Sequence, residues 1–380
     1  MSRRLILVLA LAAVAVLLGL CQCGHLAGLL PTGSAEVENL GSIRLPEGFT
    51  IELWATVEGA RSLTQGPPGV VFAGSRGAGK VHAIVDEDLD GQVDEVLVIA
   101  EGLNQPNGVA WRDGDLYVAE IARVLRFPGV AKRLFDPPEP EVVRDDFPGD
   151  EHHGWKFMAF GPDGLLYVPV GAPCNVCDAG LPYAAIHRMR PDGSERELVA
   201  RGVRNTVGFD WHPATGMLWF TDNGRDWMGD EGPSDELNRV SESGQHFGFP
   251  FCHGRSSPDP DFTGRDCAEF TPPVLELGPH VAALGMRFCS STAFPERYRN
   301  GIFIAEHGSW NRTKPIGYRV TFVPLDDRGD PAGYETFAAG WLDGPAAWGR
   351  PVDVLFLLDG SMLVSDDKGN AVYRIRYGSK

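Results

Sequence analysis

The chain has 380 residues, a formal net charge of -17 and a pI of about 5.0. An acidic surface repels nucleic acid and anionic membranes, so neither is an expected partner of the folded domain. Glycine and proline are abundant, at 47 and 29 residues, and they cluster between short apolar runs, which is typical of an all-β protein.

The N-terminus has the pattern of an export signal. Two arginines precede an apolar run from Leu5 to Leu20, which is typical of a secretory signal or an N-terminal membrane anchor. A run of about 16 residues is marginal for a membrane-spanning helix. We therefore predict a signal or anchor over residues 1–23 and a linker over 24–40. The protein would be exported, periplasmic or envelope-anchored, and this terminus would be its only possible membrane tether.

An acidic segment from Asp86 to Gly91 has the first acidic positions of an EF-hand calcium loop. The twelfth position of such a loop normally carries a bidentate glutamate, but Leu97 stands there. A solvated outer hairpin turn is therefore the favoured interpretation, with calcium binding as the alternative.

The segment Glu151–Gly171 predicts a hairpin with a proton-transfer group at its entrance. Two apolar runs flank the turn Gly161–Gly164, whose glycines and proline supply the backbone angles of a reversal. His152, His153 and Lys156 precede the first run, where a loop would hold them at one end of a sheet. Such a histidine suits proton transfer, although a capping or solvated role is the simpler interpretation of one histidine alone.

Five cysteines follow the leader. They are the CxxC pair Cys174 and Cys177, the pair Cys252 and Cys267 around a polar loop, and Cys289. Because export permits disulfides, we predict two local disulfides and a buried free thiol at Cys289. Haem attachment would need a histidine directly after the CxxC, and zinc would need a second pair with matching spacing. The sequence contains neither.

One unit recurs six times: an apolar run, a short turn, and a second apolar run that ends in a loop. The copies are Ser62–Ala73, Val109–Glu120, Phe157–Gly171, Val207–Asp222, Phe288–Glu306 and Val352–Asp366. Their regular recurrence, with an insertion in the fourth, predicts a six-bladed β-propeller over residues 41–380. Phe49–Trp54 and Ala371–Tyr377 are available to close the ring. A two-domain β-sandwich would not explain the recurrence.

Polar residues recur where the blades are expected to meet the central axis. They are His152-His153, Arg204-Asn205, Arg350, Asp222 to Asp226, Asp235 to Asn238 and Glu306 to Arg312. Arginine forks suit anionic groups, and clustered oxygen ligands suit hard cations. The predicted ligands of the axis are therefore an anion and a hard cation.

Five of these segments together resemble one protein family. HHGWKFMAFGPDGLLYVPVG, RGVRNTVGFDWHP, TDNGRDWMGDEGPSDELN, FIAEHGSWNR and GRPVDVLFLLDGSMLVSDD resemble the glucose/sorbosone dehydrogenases, and most closely the sorbosone-dehydrogenase-like branch. The resemblance covers roughly Leu45 to Tyr377. It implies a six-bladed propeller that binds pyrroloquinoline quinone (PQQ) and calcium. It also implies oxidation of a sugar or aldehyde by hydride transfer to PQQ, with a quinone or cytochrome as electron acceptor.

The resemblance assigns a base and cofactor contacts. The family's base is a histidine eight residues before the Gly-Pro-Asp turn, which is His153 in this sequence. A near-neutral imidazole pKa suits removal of a hydroxyl proton. Arg204, Asn205 and Arg350 match positions beside the cofactor, where arginine forks suit its carboxylates and quinone oxygens.

The resemblance also implies a calcium site. It corresponds to the backbone carbonyls of Asn223 and Gly224 and the carboxylates of Asp235 and Glu236. A hard cation there would polarise the quinone carbonyl.

Two positions depart from the family pattern, and one expected residue is missing. Val207 stands where a glutamine is expected and Val352 where a second arginine is expected, while a cofactor lysine has no clear match. These departures predict weaker PQQ binding. The candidates for replacing the lysine are His307, Trp310, Arg312 and Lys156. His152 would orient His153 or contact the cofactor.

Two other functions remain alternatives to the dehydrogenase. Asp222, Asp235 and Glu236 would support a metal-dependent, lactonase-type hydrolase on the same kind of propeller. A non-catalytic binding propeller would use tryptophans of the axial loops, namely Trp155, Trp227 and Trp310.

Overall fold

The computed structural model describes residues 39–378. The predicted leader, and the predicted linker except for its last two residues, lie outside the described residues. The described chain is almost entirely β-structure. Three short 3-10 helices occur at Val130–Lys132, Cys267–Glu269 and Glu296–Tyr298. Within residues 39–378, no helix has the length and apolar character needed to cross a bilayer.

The strands follow one another closely along the chain. The first fifteen are β1 (Phe49–Thr56), β2 (Ala60–Gln65), β3 (Val70–Ser75), β4 (Val81–Val85), β5 (Glu95–Ala100), β6 (Gly108–Arg112), β7 (Asp115–Ala119), β8 (Val124–Phe127), β9 (Glu141–Arg144), β10 (Ala159–Phe160), β11 (Leu166–Val170), β12 (Ala185–Met189), β13 (Glu197–Arg201), β14 (Phe209–Trp211) and β15 (Leu218–Asp222). The others are β16 (Ser234–Arg239), β17 (Gln245–His246), β18 (Cys252–His253), β19 (Ser257–Pro258), β20 (Leu275–Pro279), β21 (Ala283–Phe288), β22 (Gly301–Glu306), β23 (Arg319–Pro324), β24 (Glu335–Ala339), β25 (Leu342–Asp343), β26 (Ala346–Ala347), β27 (Pro351–Phe356), β28 (Met362–Asp366) and β29 (Ala371–Tyr377).

Six sheets form the six blades of a propeller. Blade 1 contains β2–β5, blade 2 contains β6–β9, and blade 3 contains β10–β13 with β17 at its edge. Blade 4 contains β14–β16 and β20, blade 5 contains β21–β24, and blade 6 contains β27–β29 and β1. In five blades the first two strands coincide with one predicted repeat. In blade 5 the predicted repeat begins at Phe288, which is the last residue of β21, so this copy contains only the second strand, β22. The prediction of a six-bladed β-propeller is therefore confirmed.

Local turn chemistry explains why the repeats fold as hairpins. Asp113 and Gly114 connect β6 to β7 and have φ angles of 51° and 95°. Arg112 pairs with Asp115 across this two-residue turn. Two positive φ angles are characteristic of a type I′ turn, whose twist matches that of the strands it joins.

The ring is closed by the two ends of the described chain, as the sequence predicts. β1 pairs with β29 in antiparallel fashion, from Phe49 opposite Tyr377 to Thr56 opposite Ala371. The Phe49 ring also packs edge-on against rings of blade 5, with centroid distances of 4.9 Å to Phe294, 5.4 Å to Tyr298 and 5.0 Å to Phe337. The first strand therefore joins the last blade to its neighbour.

The cysteine predictions are confirmed. Cys174 is bonded to Cys177 after β11, and Cys252 to Cys267 in the insertion of blade 4. Cys289 is free and buried. Burial raises the pKa of its thiol to about 11, so the thiolate is disfavoured near neutral pH.

Candidate active site

A cavity of about 240 Å³ lies where the inner strands of several blades end. Eight of the twelve predicted site residues line it. They are His153, Arg204, Asn205, Asn223, Gly224, Asp235, His307 and Arg350. The propeller therefore brings together residues that are as much as 197 positions apart in the sequence.

The other four predicted residues do not line this cavity. His152 lies behind its neighbour, with its ring centroid 4.0 Å from that of His153. The Lys156 ammonium is buried and donates to the carbonyls of Ile121 and Gly154 at 2.6 and 2.8 Å. Burial lowers the pKa of Lys156 to about 7. The Lys156 ammonium therefore binds backbone carbonyls and does not form part of the cavity wall.

The side chains of Arg312 and Glu236 do not line the cavity, because each is held by other contacts. Arg312 Nη2 donates to Glu231 Oε1 at 2.7 Å. Glu236 follows Asp235 on β16, and successive strand residues point to opposite sides of a sheet. Its carboxylate accepts from Asn238 Nδ2 at 2.9 Å and from the Gly254 amide at 2.7 Å.

His153 is held rigidly at the cavity wall. Its Nδ1 donates to the carbonyl of Ala172 at 2.9 Å, which leaves Nε2 as the unprotonated nitrogen of the neutral ring. Its backbone has a φ of 51°, and a Cβ on Gly171 would lie 2.6 Å from the His153 Cβ. Only glycine at position 171 allows this close approach.

The surroundings of His153 keep its ring neutral. Burial, followed by the charges of Arg204 and His152, holds the pKa of His153 well below its usual value of 6.5. Both effects disfavour the imidazolium. The histidine is therefore available as a proton acceptor at neutral pH.

The pH profile of turnover should reflect this lowered pKa. A general base at His153 would act as the neutral ring, so turnover would be lost as pH falls through the folded-state pKa of His153, which lies below 6.5. We expect kcat/KM to stay level from about pH 8 down to 6.5 and to fall only at lower pH. A steady-state pH series tests this, and an acid limb with its midpoint at or above 6.5 would contradict it.

Four arginines line the cavity of this acidic protein: Arg61, Arg76, Arg204 and Arg350. Two of them are neutralised by carboxylates. Arg61 pairs with Asp367 at 2.6 Å and Arg204 pairs with Asp226 at 3.2 Å. None of the ion pairs within residues 39–378 includes Arg76 or Arg350. These two guanidinium groups thus bring positive charge that no carboxylate partner neutralises, which favours an anionic ligand.

Arg61 and Arg76 were missed by the sequence analysis, although their positions carry a signal. Arg61 directly precedes the first repeat, much as Arg350 precedes the sixth. Arg76 directly follows β3, as Asn223 follows β15 and His307 follows β22. Equivalent positions in successive blades converge on the axis. Applying the repeat register to the first blade would have identified both.

Asp222 positions the Arg204-Asn205 pair. Its two oxygens accept from the backbone amides of Arg204 and Asn205 at 2.8 and 2.6 Å. Burial raises the pKa of the Asp222 carboxyl, and these two amide donors oppose that rise. Asp222 is thus a structural support beneath the cavity wall.

Asp235 supports the neighbouring wall in the same way. Its Oδ1 accepts from the Gly224 amide at 2.8 Å and its Oδ2 from the Ala282 amide at 2.6 Å. Burial raises the pKa of Asp235 to about 6. Among residues 39–378, no three metal-ligating side chains at this cavity lie close enough to share an ion.

Two buried polar atoms of cavity-lining residues have no hydrogen-bond partner in the described chain: Trp155 Nε1 and Asn311 Oδ1. The Trp155 ring also carries the Arg76 guanidinium 3.7 Å from its centroid. Buried polar groups are normally satisfied. One unused donor and one unused acceptor therefore indicate a site for a polar ligand.

Trp227 and Trp310 form an exposed aromatic pair beside the cavity. Their ring centroids are 5.2 Å apart at nearly a right angle, and the side chains are 67% and 64% exposed. Trp310 also lines the cavity. Exposed tryptophans on a cavity rim can stack on a ligand that projects from it.

The family model for glucose/sorbosone dehydrogenase matches residues 139–308, and a TrAA12-like model matches residues 255–377. Residues 139–308 of the chain therefore belong to the glucose/sorbosone dehydrogenase family. An uncharacterized protein of Borreliella burgdorferi is 32% identical over 368 residues, which cover 90% of this chain and 93% of that protein.

Two fungal enzymes provide further comparisons. A PQQ-dependent pyranose dehydrogenase of Coprinopsis cinerea is 31% identical over 123 residues, 27% of this chain and 16% of that protein. The holo PQQ domain of pyranose dehydrogenase from that fungus superposes with a TM-score of 0.72 at 19% identity, covering 88% of this chain and 97% of the domain. The calcium structure of a Trichoderma reesei family AA12 enzyme superposes with a TM-score of 0.78 at 18% identity, covering 88% of this chain and 97% of that one. The superpositions show a shared fold.

Val207 and Val352, the two departures from the family pattern, both lie in one hydrophobic core cluster. They are 1% exposed and do not line the cavity, whereas Leu284 of the same cluster does. The wall above them is therefore partly apolar, and the remaining polar residues must supply the ligand contacts.

Proposed function

We propose that this protein oxidises a sugar or an aldehyde with PQQ bound in the axial cavity. The observation that carries the proposal is the convergence of four arginines and a neutral, oriented His153 on one cavity. The relatives named for PQQ-dependent pyranose oxidation add support from outside the chain.

The cavity residues fit a planar polyanion. PQQ carries three carboxylates, and Arg76 and Arg350 have no carboxylate partner of their own in the described chain. Trp155 Nε1 and Asn311 Oδ1 supply one unused donor and one unused acceptor. Arg204 is less available, because its guanidinium already donates to Asn175, Asn223 and Asp226. When bound, PQQ would supply the acceptor for a hydride.

The role of His153 in this reaction would be to accept at Nε2 the hydroxyl proton of the sugar, or of the hydrated form of the aldehyde. The hydrogen bond from Nδ1 to Ala172 fixes both the tautomer and the ring orientation. Burial and the nearby positive charge of Arg204 then disfavour retention of the proton, because both lower the pKa of His153. Release of this proton to solvent would return the ring of His153 to its neutral form for another cycle. An external quinone or cytochrome would accept the electrons.

A calcium ion in this cavity would depend on the cofactor. Asn223 and Gly224 line the wall, but Asp235 already accepts two backbone amides, and Glu236 faces elsewhere. The protein alone offers few free oxygen ligands for a hard cation, which prefers six to eight. Calcium and PQQ would therefore bind together.

The hydrolase alternative has no supporting observation, because it needs a metal held by carboxylates, and those of Asp235 and Glu236 are already bonded to backbone amides.

Replacing Trp310 by alanine should raise KM roughly tenfold with little change in kcat, because the exposed ring contributes substrate contact rather than chemistry. Steady-state kinetics on the preferred sugar measure this. Leu358, which is 84% exposed at the turn after β27, provides a matched control, since its replacement by alanine should leave KM unchanged. A large fall in kcat for the Trp310 variant would contradict a purely substrate-binding role.

Reconstitution tests the function as a whole. The purified chain is incubated with PQQ and calcium and assayed with an artificial dye against a panel of aldoses, sorbosone and simple alcohols. We expect dye reduction that needs both PQQ and a sugar or aldehyde. A protein that binds no PQQ, or that binds it and reduces no dye with any of these substrates, would overturn the proposal.

The two disulfides favour an exported enzyme, because disulfides persist in oxidising compartments.

A further inference from the structure

Away from the axial cavity, three carboxylates converge in the loop between β4 and β5 of blade 1. Oxygens of Asp86, Asp88 and Asp94 all lie within 4.8 Å of one another. None of these three residues takes part in an ion pair within residues 39–378, and none lines the axial cavity. Three like charges at this separation repel one another unless a cation lies among them.

A buried atom distinguishes this loop from an ordinary acidic turn. Asp86 is 8% exposed, and its Oδ1 is fully buried with no hydrogen-bond partner in the described chain. Its Oδ2 accepts from the Gly91 amide at 3.0 Å. A buried carboxylate oxygen without a donor is costly, and a bound cation would satisfy it.

The loop backbone keeps these carboxylates together. Leu89 and Gly91 have φ angles of 61° and 89°, so the chain turns tightly between Asp86 and Asp94. Asp94 Oδ2 accepts from the Glu87 amide at 2.7 Å. The φ angle of Gly91 favours glycine at that position, where a Cβ would also lie 2.6 Å from Arg374 Nη1.

We propose that this loop binds a calcium ion through Asp86, Asp88 and Asp94. Calcium suits an irregular set of carboxylate oxygens better than magnesium, which requires a near-ideal octahedron. The place of a terminal bidentate glutamate is taken by Leu97, which pairs with Ala83 inside the sheet. The dissociation constant should therefore be on the order of 10⁻⁴ to 10⁻³ M, as in extracellular calcium modules.

The position of the loop gives the ion a structural role. The Gly91 carbonyl accepts from Trp54 Nε1 at 3.1 Å and also from the Arg374 guanidinium. Trp54 belongs to β1 and Arg374 to β29, the two strands that close the ring. Calcium that orders this loop would therefore stabilise the closure of the propeller.

Calorimetric titration of calcium into the full chain without PQQ tests the site. The wild type should bind calcium and unfold at a higher temperature when about 5 mM calcium is present. Asp88→Asn removes one ligand charge at an exposed position, so the fold should survive while affinity falls roughly tenfold or more. Glu87→Gln makes the same charge change one residue away and should bind as the wild type does.

Either of two results would overturn the inference. One is the absence of calcium uptake and of a thermal shift in the wild type. The other is an Asp88→Asn variant that binds calcium and is stabilised by it as strongly as the wild type, which would place the ion elsewhere. Because the titration contains no PQQ and measures no turnover, its outcome is independent of the proposed dehydrogenase activity.

Discussion

Replacing His153 by alanine should lower kcat of the PQQ-loaded protein by about 10²- to 10⁴-fold, the usual contribution of a general base. The neutral ring at the cavity wall is oriented by its bond to Ala172, and no other predicted base occupies that place. PQQ should remain bound, because the contacts that suit its carboxylates come from the arginines. Stopped-flow reduction of the bound cofactor measures the chemical step directly.

His187 provides a matched control for that variant. It is also a buried histidine bonded to the backbone, with Nε2 donating to the Pro182 carbonyl at 3.0 Å, but it lies on β12 away from the cavity lining. His187→Gln should keep full turnover. If His153→Ala retained turnover, the base would have to be sought among the other cavity residues. His307 would be the first candidate, because its Nε2 donates to Asp367 at 2.8 Å.

Replacing Arg350 by alanine should weaken PQQ binding by roughly 10- to 150-fold, which corresponds to the loss of about 1.5–3 kcal/mol from hydrogen bonds to charged groups. Its Nε and Nη2 donate to the His307 and Gly308 carbonyls at 2.9 and 2.6 Å, which fixes the guanidinium at the cavity wall. Fluorescence titration with PQQ measures the dissociation constant.

Two companion variants separate binding from folding. Arg350→Lys keeps the charge but loses the planar fork, so its affinity should lie between those of wild type and alanine variant. Arg328→Ala removes a guanidinium that is 80% exposed, and it should leave the dissociation constant for PQQ unchanged. An Arg350→Ala protein that folds normally and binds PQQ as tightly as the wild type would contradict the assignment of the cavity to an anion.

The architecture was predictable because it is repeated. Turns such as Asp113-Gly114 carry their own conformational signal, and six copies of one apolar pattern leave few alternatives to a propeller. Closure by β1 and β29 followed from the need to pair the terminal strands. The same register placed His153, Arg204 and Arg350 at the axis, where the structure has them.

The side-chain directions were harder to predict. Lys156 stands three residues after His153, yet its ammonium turns inward to two carbonyls, because an irregular loop has no periodicity to fix its side chains. Glu236 was grouped with Asp235 by adjacency, but strand alternation separates neighbours. The buried Asp86 oxygen could not be inferred from the sequence at all, because its burial depends on packing around the loop.

A single-turnover spectrum recorded without oxygen tests directly whether PQQ in the axial cavity oxidises the substrate. The protein is loaded with PQQ and calcium, freed of unbound cofactor, and mixed with excess sugar or aldehyde in the absence of any dye. We expect the absorbance of the oxidised quinone to change to that of the reduced form, with one equivalent of oxidised substrate per bound PQQ. A cofactor that binds the wild type and stays oxidised with every substrate tested, or a protein that retains no PQQ, would contradict it.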